Sequence, residues 1–565
     1  MRKIISVLLV FCMLAAFLPV FSFASADETL GFAVASDLHY NHPREEIDFI
    51  SEHPVFWHAN RRLAMEDESG YIIDEFLKQC AEDESVRCVL ISGDLADNGK
   101  SRPEDHEAVA EKLKAFEKET GKDVFVINGN HDAGDNCNTT FDDFMRIYAD
   151  LGYDKALARG DGDCSYTADL GEKYRLICLD SNAPDKSTED GMNAKKMDWV
   201  RRQTAAAKKD GRYPVLMMHH NLLDHMPLQR IINRNFIVKF HYSTASLFAD
   251  MGIKLVFTGH EHCSDAAVFT SAAGNRIYDF ATTSLTMYPL QYRVFNLAGN
   301  GIDYSVKTVD SIDLDALTAS TAGYTPEQLS LMSEGLNAFS KGFAKQGLKY
   351  RLALSLTMEK MGISEDDFYF DLVNTAVGGL TDILEMPLYG ENSVQELAAE
   401  YNIDIPDSGY ENGWDLAGEL VCAHYAGSET FSVDSPEVKI LLRTVALILR
   451  DDLAAVNDEV FMRSANALLE KYGMGPFSAE LTKLCASVFG GVKPGEYFII
   501  ALVSPLLYEF ALDSDGVDDN AGHIEGYAQN SVKDKAGNII ENIKGMLEKL
   551  IAYLRVFLGF IFREL

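Results

Sequence analysis

A chain of 565 residues exceeds what one hydrophobic core ordinarily organises, so two or more domains are expected. Its hydrophobic fraction of 47% is that of a globular protein. With 51 Lys+Arg against 86 Asp+Glu, a net charge of -35, the surface repels phosphate backbones, which argues against a nucleic-acid duplex as partner.

The chain opens "MRKIISVLLVFCMLAAFLPVFSFASADE". Arg2 and Lys3 precede an apolar core, and Ala24-Ser25-Ala26 supplies a small-x-small cleavage site. The order predicts a secretory signal peptide over residues 1–26 and a secreted mature chain; an uncleaved anchor helix is the alternative. The nine cysteines contain no CxxC pair, which argues against a zinc knuckle. Cys88 in "VRCVLIS" and Cys178 in "RLICLD" read as small core residues.

Over residues 27–310, apolar strand-like runs alternate with amphipathic helical ones. "LGFAVASD", "VRCVLISGD", "KDVFVINGN", "YPVLMMHH" and "IKLVFTGH" read as strands. "NRRLAMEDESGYIIDEFLKQC" and "PEDHEAVAEKLKAFEKETG" read as helices, the second with Pro at its start and Gly at its end. "AAVFTSAAGNRIYDFATTS" and "YRVFNLAGNGIDYSVKTV" read as β-hairpins. The alternation predicts an α/β layered fold with mixed sheets.

Residues 311–512 lose the strand signals and predict an all-helical domain. "DSDGVDDNAGH" begins an acidic linker, taken as 513–535. Residues 536–565 predict a C-terminal amphipathic helix. Ile543, Leu547, Leu550, Leu554, Phe557 and Ile561 share one face. The run is too short and too charged to span a bilayer. It reads as a membrane-surface helix or as a helix packed on the preceding domain.

Each strand of the α/β region ends in residues able to hold a metal. The first ends in Asp37-Leu38-His39, the second in "SGDLAD" with Asp94 and Asp97. The third ends in "NGNHD" with Asn130, His131 and Asp132, the fourth in His219-His220, the fifth in His260-Glu261-His262. In open α/β sheets, ligands bind beyond the carboxyl ends of strands. An extended backbone would put His260 and His262 on one side, facing one object. Imidazole with carboxylate suits Mn, Fe or Zn better than Ca or Mg. A two-metal site needs a bridging ligand, for which Asp94 is the natural candidate. "GDLADNGKS" nearly matches a phosphate-binding loop. Its glycine spacing is one residue too long, and its carboxylates would oppose a phosphate.

The set "SDLH", "GDLAD", "GNHD", "HH" and "GHEH", in that order over roughly residues 29 to 300, resembles the calcineurin-like metallophosphoesterase family. The resemblance implies two mixed β-sheets in a sandwich flanked by helices. It implies that Asp37, His39 and His262 hold one metal, that Asn130, His219 and His260 hold a second, and that Asp94 bridges. His131 would stabilise the phosphate and protonate the leaving oxygen, with Asp97 orienting it. The fourth motif lacks the proline common in the family, so His219 aligns best and His220 stays open. The mechanism that follows is in-line attack on phosphorus by a hydroxide between the metals.

The expected activity is hydrolysis of phosphomono- or diesters. His42, Arg44, His58, Arg61, Tyr288 and Arg293 are candidates to line the substrate pocket, with Arg293 the first choice as a phosphate contact. Two other readings share the domain. One is a non-catalytic secreted or cell-envelope protein using the fold as a scaffold. The other is a 5′-nucleotidase-like enzyme, disfavoured by the helical C-terminal half.

Overall fold

The computed structural model describes residues 29–42, 64–182, 192–226, 229, 235–298, 301–355, 357–359, 362–432, 435–452, 458–471, 516–527 and 532–561. The expected signal peptide, residues 1–26, lies outside the described residues, as do Arg44, His58, Arg61 and residues 472–512 of the expected helical domain.

Two mixed sheets form the frame. The first is ordered β13-β12-β11-β1-β2-β3: β1 (Leu30–Ala35), β2 (Cys88–Ile91), β3 (Asp123–Val126), β11 (Gln291–Leu297), β12 (Gly301–Thr308) and β13 (Ala521–Glu525). The second is ordered β4-β5-β6-β7-β8-β10-β9: β4 (Ala158–Arg159), β5 (Tyr166–Leu170), β6 (Tyr174–Cys178), β7 (Tyr213–Met217), β8 (Leu255–Thr258), β9 (Asp265–Thr270) and β10 (Arg276–Ala281). Strands β1, β2 and β3 pair in parallel, as do β6, β7, β8 and β10. β1, β2 and β8 are apolar and almost wholly buried, as parallel strands covered on both faces must be. An aromatic seam joins the sheets: Phe257 of the second lies 5.5 Å from Phe32 and 4.8 Å from Phe295 of the first, ring centre to centre.

The helix predicted with Pro at its start spans Pro103–Thr120, and Gly121 closes it at φ 71, a conformation glycine adopts without strain. The helix predicted from residue 60 is Ser69–Glu82; Glu66, Asp67 and Glu68 form a turn before it. Both expected hairpins form, β9 with β10 and β11 with β12. Residues 314–471 are helical where described, with a core of their own around Ile383, Leu416, Leu420 and Leu447.

The segment expected as an acidic linker, 513–535, is not one where described. Residues 521–525 are β13, the edge strand beside β12. Local composition pointed to a loop, and long-range partners overrode it. Asp519 Oδ1 accepts from the Ala266 N–H at 2.8 Å, Lys254 Nζ donates to the Gly526 carbonyl at 3.0 Å, and the Tyr527 hydroxyl donates to the Pro214 carbonyl at 2.8 Å. The two sheets therefore extend past residue 310 to include the chain near residue 527. Helix Val532–Ile561 follows, matching the expected C-terminal helix in kind and starting earlier than 536.

Candidate metal centre

Five strands from both sheets converge at their carboxyl ends. β1 leads to Asp37 and His39, β2 to Asp94, β3 to Asn130 and His131, β7 to His219, and β8 to His260 and His262. The backbone there is not extended. Asp37 (φ 50), His39 (φ 41), Asp94 (φ 49), His260 (φ 69) and His262 (φ 62) all adopt left-handed conformations. The expectation that strand geometry aims His260 and His262 to one side is thus corrected: alternate left-handed turns aim them. Each such non-glycine residue costs about 1–3 kcal/mol, which surrounding contacts must offset.

Those contacts are present. The Asp37 N–H donates to the Gly93 carbonyl, and the His39 N–H to the Asp94 carbonyl, each at 3.0 Å. The Ser284 hydroxyl donates to the Asp37 carbonyl at 2.7 Å and the Thr283 hydroxyl to the His262 carbonyl at 2.8 Å. Each bridging-type carboxylate uses one oxygen on the backbone. Asp37 Oδ2 accepts from the His260 N–H at 2.9 Å, and Asp94 Oδ1 from the His131 N–H at 2.8 Å. Gly129 allows this approach, since a Cβ there would collide with Asp94 Oδ1.

The other oxygens face a ring of nitrogens. Asp37 Oδ1 lies 3.1 Å from His262 Nε2, 3.7 Å from His39 Nε2 and 4.0 Å from His219 Nε2. Asp94 Oδ2 is buried without a hydrogen-bond partner of good geometry, and lies 3.2 Å from His219 Nε2, 3.9 Å from His131 Nε2 and 4.0 Å from His39 Nε2. His39 Nε2 and His262 Nε2 are 3.2 Å apart, His219 Nε2 and His260 Nδ1 3.1 Å, and Asn130 Oδ1 is 2.9 Å from His219 Nε2. Nitrogens and oxygens crowded this way need protons or a cation between them. Three overlapping groups have the spacing to hold an ion: Asp37, His39 and His262; His39, Asp94 and His131; Asp94, His219 and His260. The donor set of imidazoles, carboxylates and one amide fits first-row metals.

The electrostatics agree. Burial alone would raise the Asp37 carboxyl, but the charges of His262 and His219 outweigh it and hold it at about 2. Asp94 is likewise buried, yet His219, His131 and His39 hold it well below the usual range. Burial alone would lower His219, but the Asp94 and Asp37 charges outweigh it and raise it to about 9. The field that draws a proton to that imidazole equally draws a cation, and metal binding displaces protons from such ligands. Burial and the charges of His220 and His219 push His260 well below the ordinary value, leaving it a lone-pair donor.

Outer contacts set ring orientation. His219 Nδ1 donates to the Ser92 carbonyl at 2.9 Å, which turns Nε2 to the cluster. His220 points elsewhere, its Nδ1 2.8 Å from the Ser181 hydroxyl. His262 Nδ1 is 2.9 Å from Met287 Sδ, and the Phe236 ring stacks on His260 at 4.0 Å. His131 is the most open imidazole of the cluster at 24% exposure, and its Nδ1 is 2.9 Å from the Asp97 main-chain carbonyl. Asp97, expected to orient His131, offers it that main-chain carbonyl, and its carboxylate also lies 3.3 Å from His39 Nδ1. Asp97 reaches both because residues 93–97 run beside 37–40, with the Asp97 N–H donating to the Tyr40 carbonyl at 3.0 Å.

Arg293, expected as a phosphate contact, is a correction. It is fully buried, and its guanidinium donates to the carbonyls of Ala281, Asp519 and Asp265 and to the Ser264 hydroxyl. Its position on β11 turns it between the sheets, where only protein oxygens can satisfy it. His42 is exposed beside Asp105, and Tyr288 has Lys341 over its ring. Asp132, metal-capable by its place in "NGNHD", accepts instead from the Gly129 and Ala96 N–H groups at 2.7 and 3.2 Å and shapes the turn carrying His131. Sequence reasoning missed Met287, Phe236 and Ser284, which lie far along the chain in segments without motif character.

Residues 30–264 match the family model for calcineurin-like phosphoesterases. No curated protein matches. Among solved structures, a dimetal phosphatase from Danio rerio is similar at 12% identity and a TM-score of 0.36, covering 49% of this chain and 96% of that one. The structure described as PhoD is similar at 9% identity and a TM-score of 0.30, covering 58% and 78%. Vacuolar protein sorting 29 from Cryptosporidium parvum is similar at 13% identity and a TM-score of 0.23, covering 50% and 93%. The motif order read from the sequence and the family match coincide: residues 30–264 of this chain match the calcineurin-like phosphoesterase domain.

Proposed function

We propose that the protein hydrolyses phosphomono- or diesters at the cluster of Asp37, His39, Asp94, Asn130, His219, His260 and His262, loaded with two ions of the Mn, Fe or Zn kind. The observation that carries this reading is Asp94 Oδ2, buried among three imidazole nitrogens at 3.2–4.0 Å. Asp37, His39 and His262 would hold one ion, Asn130, His219 and His260 the other, and Asp94 both. Such a pair, when bound, neutralises phosphoryl oxygens and makes a water acidic enough to attack near neutral pH.

The chain's own groups do the rest. His131 gives its Nε2 proton to the departing alkoxide, while the Asp97 carbonyl keeps the Nδ1 proton in place. Its partial exposure lets it reach a substrate oxygen. The Asp97 carboxylate steadies His39. The basic, apolar, small-residue order of residues 1–26 supports export, so the substrate is met outside the cytoplasm.

The test is hydrolysis of generic mono- and diester substrates by purified protein, with chelator and with metal restored. Chelation should abolish turnover and Mn, Fe or Zn should restore it. Protein carrying two ions per chain that cleaves neither ester would overturn the reading in favour of a scaffold.

A further inference from the structure

Helix Val532–Ile561 is 30 residues long, and the contacts that hold it to the second sheet lie in its first turns. Asn538 Nδ2 donates to the Gly274 carbonyl at 3.2 Å, Glu541 pairs with Arg276, and the Lys535 main chain abuts Gly274. The anchor is thus the turn between β9 and β10. The opposite side carries Ile540, Ile543, Met546, Leu547, Leu550 and Ile551, which are 53–67% exposed. A helix packed on a core buries such a stripe and presents its polar side to water. Here, past the anchored turns, the stripe and the polar side with Glu541, Lys544 and Glu548 (65–74% exposed) both face water, so the described part of the stripe is not packed on the protein.

Charge placement adds a second, independent observation. Lys544 borders the apolar stripe on one side and Lys535 on the other, while Glu541 and Glu548 lie behind it at helical spacing. Arg555 falls near the Lys544 border by position along the helix. Lys533, Lys535, Lys544, Lys549 and Arg555 against Asp534, Glu541 and Glu548 make the helix net +2 in a chain of net -35. Basic groups flanking an apolar stripe extend their stems along it and set their charges at headgroup level. No described helix is long and apolar enough to cross a membrane.

We propose that residues 532–561 lie in the surface plane of an anionic lipid bilayer, apolar stripe down, and tether the protein to it. β9 begins at Asp265, close after His262, and runs away from the metal cluster to the anchoring turn. The attachment point is therefore at the end of the second sheet remote from the cluster, so tethering does not require the crevice to be covered.

Flotation of the full chain with phosphatidylglycerol-containing vesicles, against phosphatidylcholine vesicles alone, tests this. Wild type should bind the anionic vesicles, bind the neutral ones less, and weaken with salt. An Ile543→Asp/Leu547→Asp variant should lose roughly tenfold or more in vesicle affinity. The substitutions are on exposed positions, so hydrolysis of a small soluble ester should be unchanged. No binding by wild type, equal binding by the variant, or a wild-type homodimer that the variant splits without change in vesicle binding would each overturn the proposal. The readout is lipid binding, so its failure and a failure of the hydrolytic reading are separately visible.

Discussion

Arg293 donates to the main-chain oxygen of Asp519, 226 residues further along the chain. The same guanidinium holds the Ser264 hydroxyl and the Asp265 carbonyl, directly after metal-ligand candidate His262. The loop is braced again where the Ser264 N–H donates to the Tyr425 carbonyl at 3.0 Å. Segments around Arg293, Tyr425 and Asp519 thus hold one turn of the candidate metal centre.

Arg293→Met should therefore act through stability and metal retention. Leaving three carbonyls and a hydroxyl without their donor should cost about 3–5 kcal/mol. Denaturant unfolding and metal analysis check it. A raised KM with unchanged stability and metal content would instead return Arg293 to a substrate role.

Asp94→Asn should lower bound metal and reduce kcat by about a hundredfold or more, since one buried charge serves both ion positions. Metal content by plasma mass spectrometry is the readout. A variant that keeps two ions and full turnover would remove Asp94 from the centre.

His131→Asn should leave metal content intact and lower kcat by about 10²–10⁴ on esters with poor leaving groups. The loss should shrink on p-nitrophenyl esters, whose leaving group needs no proton. Equal losses on both would contradict a role as acid.

Asp97→Asn separates two jobs. If the carboxylate steadies His39, metal affinity should fall about 10–100-fold while the pH-rate profile keeps its shape. If it acts through His131, the alkaline limb of that profile should move with affinity unchanged.

His225 gives a pH signature in stability, away from the metal residues. Burial lowers it, but Asp279 and Asp265 on either side raise it from 6.5 to about 10. A raised value means that the stabilisation is full below pH 6.5 and fades as pH rises through about 10. Unfolding measured at intervals across that window should show a decline that His225→Gln lacks.

Much of this was legible in one dimension. The strand runs before Asp37, Asp94, Asn130, His219 and His260 were readable because parallel strands covered on both faces are apolar throughout. The helix Pro103–Thr120 was readable because proline and glycine act on their own backbone. The left-handed turns were not, because Asp and His carry no local requirement for positive φ; distant donors such as Ser284 impose it.

The sequence by itself determined the order of the chemistry: which strand end carries which carboxylate or imidazole, and hence the family that residues 30–264 match. Tertiary structure alone decided direction. It turned His219 rather than His220 to the cluster, gave the Asp97 carboxylate to His39, buried Arg293, made an acidic stretch into β13, and set the C-terminal helix with its apolar side outward. Residue type and spacing depend on near neighbours along the chain. Which way a side chain faces depends on partners hundreds of residues away, whose positions exist only once both sheets have formed.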